Sequence, residues 1–219
     1  MGVASTVGSW PRRISDAVLF EGLWPALVRA TLFPFYRAVT LNSEPLGHDF
    51  PPPPESITVR RASDEDVPAL VRVRPEYKPE ALRERFQRRH ECFLACTEGQ
   101  IASLVWACPS EAYLAPLGLV LALRPEEVFD YDSFTVPRFR RRRVAYARWH
   151  AFQSHYFSQG FKSIVDFTTP GRRPWGQVDT RRVATIRTLR LGPFRKLWVR
   201  TCGPQAEYWR ERLDESRWA

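Results

Sequence analysis

The stretch from Tyr131 to Ala145 constrains the fold of this chain more than any other part of its sequence. A strand-like segment over 128–136 stops at Pro137, four arginines follow at 140–143, and an apolar stripe then recurs at helical spacing. Because proline cannot donate to the ladder of a sheet, we expect the strand to end there. The stripe comprises Ala145, Trp149, Phe152 and Tyr156. The sequence therefore predicts a strand, a tight turn and an amphipathic helix over about 141–159.

The start of this predicted helix is suited to binding anions. The first turn of a helix has backbone N–H groups without partners inside the helix, and the helix dipole is positive there. The guanidinium groups at 140–143 add planar forks of donors that match phosphate oxygens. A solvated basic loop is the alternative for such a run of arginines. Its place at a strand-to-helix junction favours a phosphate or pyrophosphate site.

The overall charge also points to an anionic partner. The 219 residues carry 33 Lys and Arg against 24 Asp and Glu, which gives a formal charge of +9. Such a balance suits nucleic acid, a membrane surface or a phosphorylated cofactor, although arginine-rich codon usage would explain part of it. No metal site or disulfide framework is predicted, because His90 and the cysteines lack a second ligand pair at metal-site spacing: Cys92, Cys96, Cys108 and Cys202. A reducing, cytoplasmic location is the expectation.

Composition divides the chain into four parts. Residues 1–50 are predicted to form an amphipathic helical extension, 51–55 a proline-rich linker, 56–203 the main domain, and 204–219 a tail with a short helix. Charged residues and prolines interrupt the apolar extension, so we expect no transmembrane helix. Its apolar face favours packing on the main domain or on a second subunit, and leaves open a peripheral membrane contact and a homodimer.

Regular elements follow one another closely inside the main domain. The patterns predict strands over 57–61, 92–97, 100–108, 128–136, 163–168 and 194–201, and helices after Ser63 and over 79–89, 141–159 and 180–191. A short strand over 35–41 precedes them, a variable stretch covers 109–125, and a last short helix covers 205–213. This order predicts an α+β domain with a mixed sheet.

The element order and the arginine turn resemble the GNAT superfamily of N-acetyltransferases, in particular bacterial members that carry an N-terminal extension. That family has a Gln/Arg-x-x-Gly-x-Gly/Ala turn between its fourth strand and third helix, which wraps the CoA pyrophosphate. Here Arg140 fills the first position and Ala145 the last, while Arg143 replaces the central glycine. The resemblance implies a mixed, mostly antiparallel central sheet flanked by helices. It also implies that acetyl-CoA or another acyl-CoA binds Arg140, Arg141, Arg142, Arg143, Val144 and Ala145.

The resemblance also assigns roles to the predicted strand over 127–136. In the family this strand splays from the next one and exposes backbone groups to the pantetheine arm, which implies contacts with Phe134, Thr135 and Val136. Glu127 is the first candidate for a general base and Asp132 the second; a structural role is the alternative for each carboxylate. On the later helix predicted over 180–191, the family's usual Asn is Arg181 and its Tyr general acid is missing.

Three functions are therefore considered. The first is transfer of an acyl group, expected to be acetyl, from CoA to a primary amine of a small molecule or peptide. The second is a GNAT-like acyl-CoA-binding or interaction module that has lost catalysis, which the departures at Arg143 and Arg181 favour. The third is a basic nucleic-acid-binding protein centred on 83–89 and 138–143, but the chain lacks an exposed aromatic stacking pattern and nucleic acid is not expected.

Overall fold

The computed structural model describes residues 36–47, 52–169, 181–191, 194–203 and 205–218. Its strands are β1 Tyr36–Pro45, β2 Thr58–Arg61, β3 Glu91–Thr97, β4 Gln100–Cys108, β5 Glu111–Leu114, β6 Leu119–Ala122, β7 Glu127–Thr135, β8 Ser163–Thr168, β9 Arg181–Leu191, β10 Phe194–Thr201 and β11 Arg217–Trp218. Its helices are α1 Val67–Val73, α2 Pro79–Gln87, α3 Val144–Ser158 and α4 Ala206–Asp214, with 3-10 turns at Asp64–Asp66 and Pro137–Phe139. The helical extension predicted before residue 36 lies outside the described residues.

Eight of these strands form one sheet in the order β10-β9-β1-β8-β7-β4-β3-β2. Strands β7 and β8 run parallel, and the other neighbouring strands run antiparallel. A smaller sheet has the order β11-β6-β5. The predicted α+β class with a mixed, mostly antiparallel sheet flanked by helices is confirmed.

Side chains alternate between the two faces of the large sheet along each strand. Helices cover both faces. Helices α1 and α2 bury Leu70 and Leu82 against a cluster with Leu94, Leu104 and Trp106. On the opposite face α3 buries a second cluster, which includes Phe93, Val105, Val128, Trp149, Phe152, Tyr156 and Ile164. We call these the α1/α2 face and the α3 face. The face on which a side chain lies decides which part of the candidate site it can reach.

The prediction of a helix over 180–191 is wrong for the described part of that segment. Arg181–Leu191 is strand β9, which pairs with β1 on one side and β10 on the other. The buried Ala184, Ile186 and Thr188 alternate with less buried residues, which is the period of a strand. The family's Tyr general acid was expected on that helix. Because the segment is a strand, the lack of a Tyr there does not bear on catalysis.

Three findings concern the predicted division of the chain. Strand β1 lies between β8 and β9, so the large sheet takes a strand from the segment before the predicted linker. The variable stretch over 109–125 contains the hairpin β5–β6, which sequence reasoning missed. The short helix predicted over 205–213 is confirmed as α4, whose Trp209 and Leu213 join the core beside the hairpin. None of the described helices has the length and apolarity to cross a bilayer.

Candidate active site

The ladder between the parallel strands β7 and β8 stops partway along β7, and we call the gap beyond it the cleft. Their ladder has three pairs and ends at Phe129 and Val165. Beyond that point β8 continues to pair with β1, and β7 continues to pair with β4. Among the described strands, residues 130–135 of β7 therefore have no ladder partner on the side of β8. Backbone donors and acceptors on this edge are available to a ligand.

A bulge interrupts β7 beside the cleft. Tyr131 pairs with Trp106 and Phe134 pairs with Leu104, so two residues of β7 lie opposite one residue of β4. The first of the two, Asp132, has a positive φ of 55°, a conformation that a non-glycine residue rarely adopts. Bulges of this kind re-aim side chains, and here the carboxylate reaches the α1/α2 face.

The predicted phosphate turn lies at the C-terminal end of β7. A 3-10 turn over Pro137–Phe139 leads into the arginines at 140–143, all four of which are exposed. Helix α3 begins at Val144, and neither a capping side chain nor an acidic residue occupies its first turn. The residues predicted to hold pyrophosphate are thus brought together at an uncapped, positively charged helix N-terminus.

The backbone of this turn adopts the conformation that glycine would favour. Arg143 is the N-cap of α3 and has a φ of 60°, and Arg141 has a φ of 63°. A left-handed conformation costs a side-chain-bearing residue about 1–2 kcal/mol. The departure from the family pattern at Arg143 is therefore a change of side chain, while the positive φ that a glycine would supply is retained.

Buried residues on the α3 face fix the position of the turn. Phe139 and Val144 are each 2% exposed and pack with Ile57, Ala95, Ala102 and Ala147. Arg140 Nε donates to the carbonyl of Thr135 at 3.4 Å, and Arg142 forms an exposed ion pair with Glu98 at 3.5 Å. Arg141 and Arg143 form no ion pair with the described residues, so their guanidinium groups are the ones available to an anion.

The residues predicted to flank pantetheine also lie together, at the open end of the cleft. The ring of Phe134 packs on the α1/α2 face under the guanidinium of Arg74, and the carbonyl of Phe134 accepts a bond from Ser103 Oγ at 2.9 Å. The N–H of Val136 donates to the carbonyl of Ala102 at 2.9 Å. Since backbone groups alternate along a strand, those of Thr135 face the β8 side.

Glu127 lies at the paired start of β7, before the strands part. Its Oε1 accepts from Arg212 Nη1 at 2.6 Å, and its Oε2 accepts from the backbone N–H of Arg124 at 3.0 Å. The side chains of Arg212 and Glu127 are 1% and 5% exposed. Each oxygen of Glu127 thus accepts a hydrogen bond from within the fold, and its predicted role as a base gains no support from these contacts.

Asp132 is equally engaged, on the α1/α2 face. Its Oδ1 accepts from Arg74 Nη1 at 3.2 Å, and its Oδ2 accepts from the Tyr77 hydroxyl at 2.7 Å and from Arg85 Nη1 at 2.9 Å. The Arg85 guanidinium lies over the ring of Trp106 at 4.9 Å. Burial, followed by the charge of Asp132, raises the pKa of Tyr77. Asp132 therefore holds two arginines and a tyrosine beside the cleft, and its predicted role as a base stays a prediction.

Sequence reasoning weighed Asp130 with the other carboxylates of its strand without choosing it, and overlooked Asp166. The two form a pair of carboxylates at the closed end of the cleft. Asp130 follows Phe129 in β7, and Asp166 follows Val165 in β8. Burial and the neighbouring Asp166 raise the pKa of Asp130 well above its usual range, and burial raises the pKa of Asp166. The sequence contained a usable signal, because in each of these two strands two apolar residues precede the Asp. The spacing of 36 residues concealed that the strands are neighbours.

Polar side chains surround this pair on the α3 face. Asn42 Nδ2 donates to Asp166 Oδ1 at 2.5 Å, and Gln153 Nε2 donates to Glu44 Oε1 at 3.1 Å. Burial and the charge of Asp166 raise the pKa of Glu44 to about 7. Arg148, which is 2% exposed, donates to Ser103, Ser133 and the carbonyl of Leu104. Groups of His, Cys, Asp and Glu suited to a metal ion do not occur among the described residues.

The fold is similar to that of solved N-acetyltransferases. A GCN5-related N-acetyltransferase from Sphaerobacter thermophilus matches 81% of this chain with 56% of its own, at a TM-score of 0.50 and 15% identity. One from Kribbella flavida matches 85% of this chain with 66% of its own, at a TM-score of 0.48 and 16% identity. The acetyltransferase AAC(6')-Iy, in complex with a CoA bisubstrate analogue, matches 52% of this chain with 80% of its own, at a TM-score of 0.42 and 20% identity.

No protein-family model matches the sequence, and no curated protein is similar to it. The fold alone is therefore what the comparisons establish. The described part of the chain has one parallel strand pair that parts into a cleft, with a helix N-terminus at the open end. This arrangement and the match to the Sphaerobacter protein show that the chain has the fold of the GNAT superfamily of N-acetyltransferases.

Proposed function

We propose that this protein transfers an acyl group, expected to be acetyl, from CoA to a primary amine. The observation that carries the proposal is the cleft between β7 and β8, which ends at the Phe129–Val165 pair and opens toward the first turn of α3. A ligand with a diphosphate at one end and a long amide-bearing arm at the other fits these two features together. Similarity in fold to a GCN5-related N-acetyltransferase supports the acyl-transfer chemistry.

The diphosphate would lie on the turn at 140–145. The uncapped amides of α3 and the guanidinium groups of Arg141 and Arg143 are its proposed donors. Neither arginine is occupied by an ion pair with a described carboxylate, so binding phosphate breaks no existing pair. Arg140 supports the turn by its bond to the carbonyl of Thr135.

The pantetheine arm would run from the turn along the free edge of β7 toward Asp130. Its amides would pair with strand backbone groups, of which those of Thr135 face the cleft. The side chains of Phe134 and Val136 flank this position. The bulge at Asp132 and Ser133 takes backbone groups out of the β4 ladder, and an N–H there is the proposed donor to the developing oxyanion.

The acceptor amine would enter from the α1/α2 face. On that side Arg74, Tyr77 and Arg85 surround Asp132 above the aromatic rings of Trp106 and Tyr131. Much of the acceleration of acyl transfer comes from holding the amine against the thioester, so few catalytic side chains are needed. Since Glu127 is buried in its pair with Arg212, the proposal gives it a structural role.

A second candidate function is an acyl-CoA-binding module without catalysis. It is favoured by the full engagement of both carboxylates first considered as bases, Glu127 and Asp132. It shares the cofactor site and differs only in turnover. Binding of acetyl-CoA without release of CoA in the presence of amines would select it.

Thermal denaturation with acetyl-CoA, free CoA and buffer tests the cofactor site. A ligand at about 100-fold over its Kd stabilises the folded state by about 2.7 kcal/mol, which raises the Tm. The double variant R141A/R143A should lose this rise. The matched control R72A/R88A removes the same charge from exposed positions on α1 and after α2, and should keep it. A rise that persists in R141A/R143A would place the diphosphate elsewhere.

A further inference from the structure

We propose that Asp130, paired with Asp166 at the closed end of the cleft, is the general acid that protonates the departing thiolate of CoA. This inference rests on the proposed function and adds a catalytic residue to it. The two carboxylates occupy the first position after the last pair of the parallel ladder, one on each strand. They therefore face one another where β7 and β8 begin to part.

Both carboxylates lie on the α3 face of the sheet. Side chains alternate along a strand, so Asp130 shares a face with Val128, and Asp166 shares one with Ile164. Val128 and Ile164 belong to the cluster beneath α3. A cofactor whose diphosphate sits on the first turn of α3 approaches on this same face. Its sulfur, at the far end of the arm, then reaches the closed end of the cleft beside Asp130.

The pair is placed to hold one proton at neutral pH. Asp166 raises the pKa of both Asp130 and Glu44, while the charge of Arg148 acts on Asp130, and like charges at short range cannot all ionise. Asn42 donates to Asp166 at 2.5 Å and so favours the charged form there. These surroundings favour the protonated form of Asp130, whose pKa is raised by burial and by Asp166, lowered by Arg148 and raised further by Glu44.

The site also has unused hydrogen-bonding capacity. Arg148 Nε and Gln153 Oε1 are buried on the α3 face without a partner among the described residues. The two side chains are 2% and 3% exposed. Buried polar atoms are nearly always satisfied in folded proteins. A polar ligand entering beneath α3 is a physical reason for these two exceptions.

The lone pair of the amine nitrogen attacks the thioester carbon and forms the C–N bond, and the C–S bond breaks with its electron pair moving to sulfur. Sulfur takes the proton of the Asp130 carboxyl, which gives free CoA thiol and a carboxylate. The proton lost by the nitrogen passes to solvent, from which Asp130 is reprotonated. Two nearby tyrosines are engaged elsewhere, since the Tyr131 hydroxyl contacts His90 Nδ1 at 2.5 Å and the Tyr77 hydroxyl donates to Asp132.

The test measures release of CoA thiol from acetyl-CoA with 1,4-diaminobutane as a fixed amine probe, alongside acetyl-CoA binding by thermal shift. Asp130→Asn keeps the shape but cannot donate this proton, and should lower kcat by about 100-fold or more with binding unchanged. Asp166→Asn removes the neighbouring charge that raises the pKa of Asp130. The fall in rate at alkaline pH should therefore move to lower pH. Glu207→Gln is the control, because Glu207 is an exposed carboxylate on helix α4, away from the site.

Each outcome decides the inference. Asp130→Asn turnover within about threefold of the unaltered protein, with the same pH profile, would overturn it and leave the proposed function standing. Acetyl-CoA binding without thiol release selects the binding module, and it overturns the proposed acyl transfer together with the inference while leaving the cofactor site standing. If the unaltered protein does not bind acetyl-CoA, the proposed function and the inference are both overturned, together with the cofactor site. If Asp130→Asn does not fold, Asp166→Asn still decides, because an alkaline limb of kcat that stays at the same pH in this variant overturns the inference.

Discussion

Arg212 of helix α4 and Glu127 of strand β7 form an ion pair of 2.6 Å whose side chains are 1% and 5% exposed. The guanidinium also donates to the carbonyl of Ala122 at 2.9 Å and lies over the ring of Trp209 at 4.4 Å. The pair thus connects the C-terminal helix to the small sheet and to the start of the strand that borders the cleft. Because the pair is buried, its loss should measurably lower the free energy of unfolding.

We predict that Glu127→Gln destabilises the protein by about 3–5 kcal/mol, because it leaves the Arg212 charge buried without its partner. Urea unfolding measures the change. The double variant E127Q/R212M removes both charges and should recover much of the loss. Turnover per folded molecule should stay near that of the unaltered protein. A stable but inactive Glu127→Gln would instead restore Glu127 as the base.

Replacing Arg143 by glycine separates two roles of this residue, which are the positive φ of its backbone and the binding of phosphate by its guanidinium. Glycine adopts the observed φ of 60° without strain, so we expect stability to be unchanged or to rise by up to about 1 kcal/mol. Hydrogen bonds to charged groups contribute about 1.5–3 kcal/mol, so loss of the guanidinium should raise the Kd for acetyl-CoA about tenfold or more. Isothermal titration measures the affinity.

Arg143→Ala is the matched control for that prediction. It loses the same guanidinium but keeps a Cβ in the left-handed conformation, so its affinity should fall equally while its stability stays below that of Arg143→Gly. An affinity that improves in Arg143→Gly and falls in Arg143→Ala would show that a Cβ atom at this position crowds the phosphates.

Local patterns were sufficient for much of the fold. The hairpin over 91–108 turns at Glu98 and Gly99, and the Arg143 turn lies between a strand and a helix, as their sequences predict. What local patterns cannot give is which strands are neighbours. Thr40 pairs with Thr168 across more than a hundred residues, and no short-range signal records this. The carboxylate pair at the cleft depends on the same long-range pairing.

The error over 180–191 has a physical cause. Its arginines and leucines have good helix propensity, and a Leu-Gly pair at its end imitates a helix stop. Tertiary pairing with β1 and β10 outweighs that propensity, and the alternation of Ala184, Ile186 and Thr188 supplies the buried face of a strand. The period of two was the more reliable signal in this segment.

Asp132→Asn tests whether Asp132 is a base or an anchor for its neighbours. Asparagine tolerates the positive φ of 55° and keeps one carbonyl acceptor, so the bulge should persist. Loss of the charge opposite Arg74 and Arg85 should cost about 1–3 kcal/mol in urea unfolding. Acetyl-CoA binding should be unchanged and turnover should fall less than tenfold. A larger fall in kcat with normal stability would identify Asp132 as the base.

We predict that the buried carboxyl of Glu44 makes the stability of the protein depend on pH. Its pKa is about 7 in the folded protein against an ordinary value of 4.5, so the folded state binds more protons than the unfolded state between these values. Stability should therefore fall as pH rises from about 4.5 to 7, by about 3 kcal/mol from this group. Glu44→Gln removes the titration and keeps an oxygen to accept from Gln153. It should be more stable than the unaltered protein at pH 8 and close to it at pH 5, as urea unfolding at both values measures. Equal stability of the two proteins at pH 8 would show that solvent or a counter-charge neutralises Glu44 in its buried site.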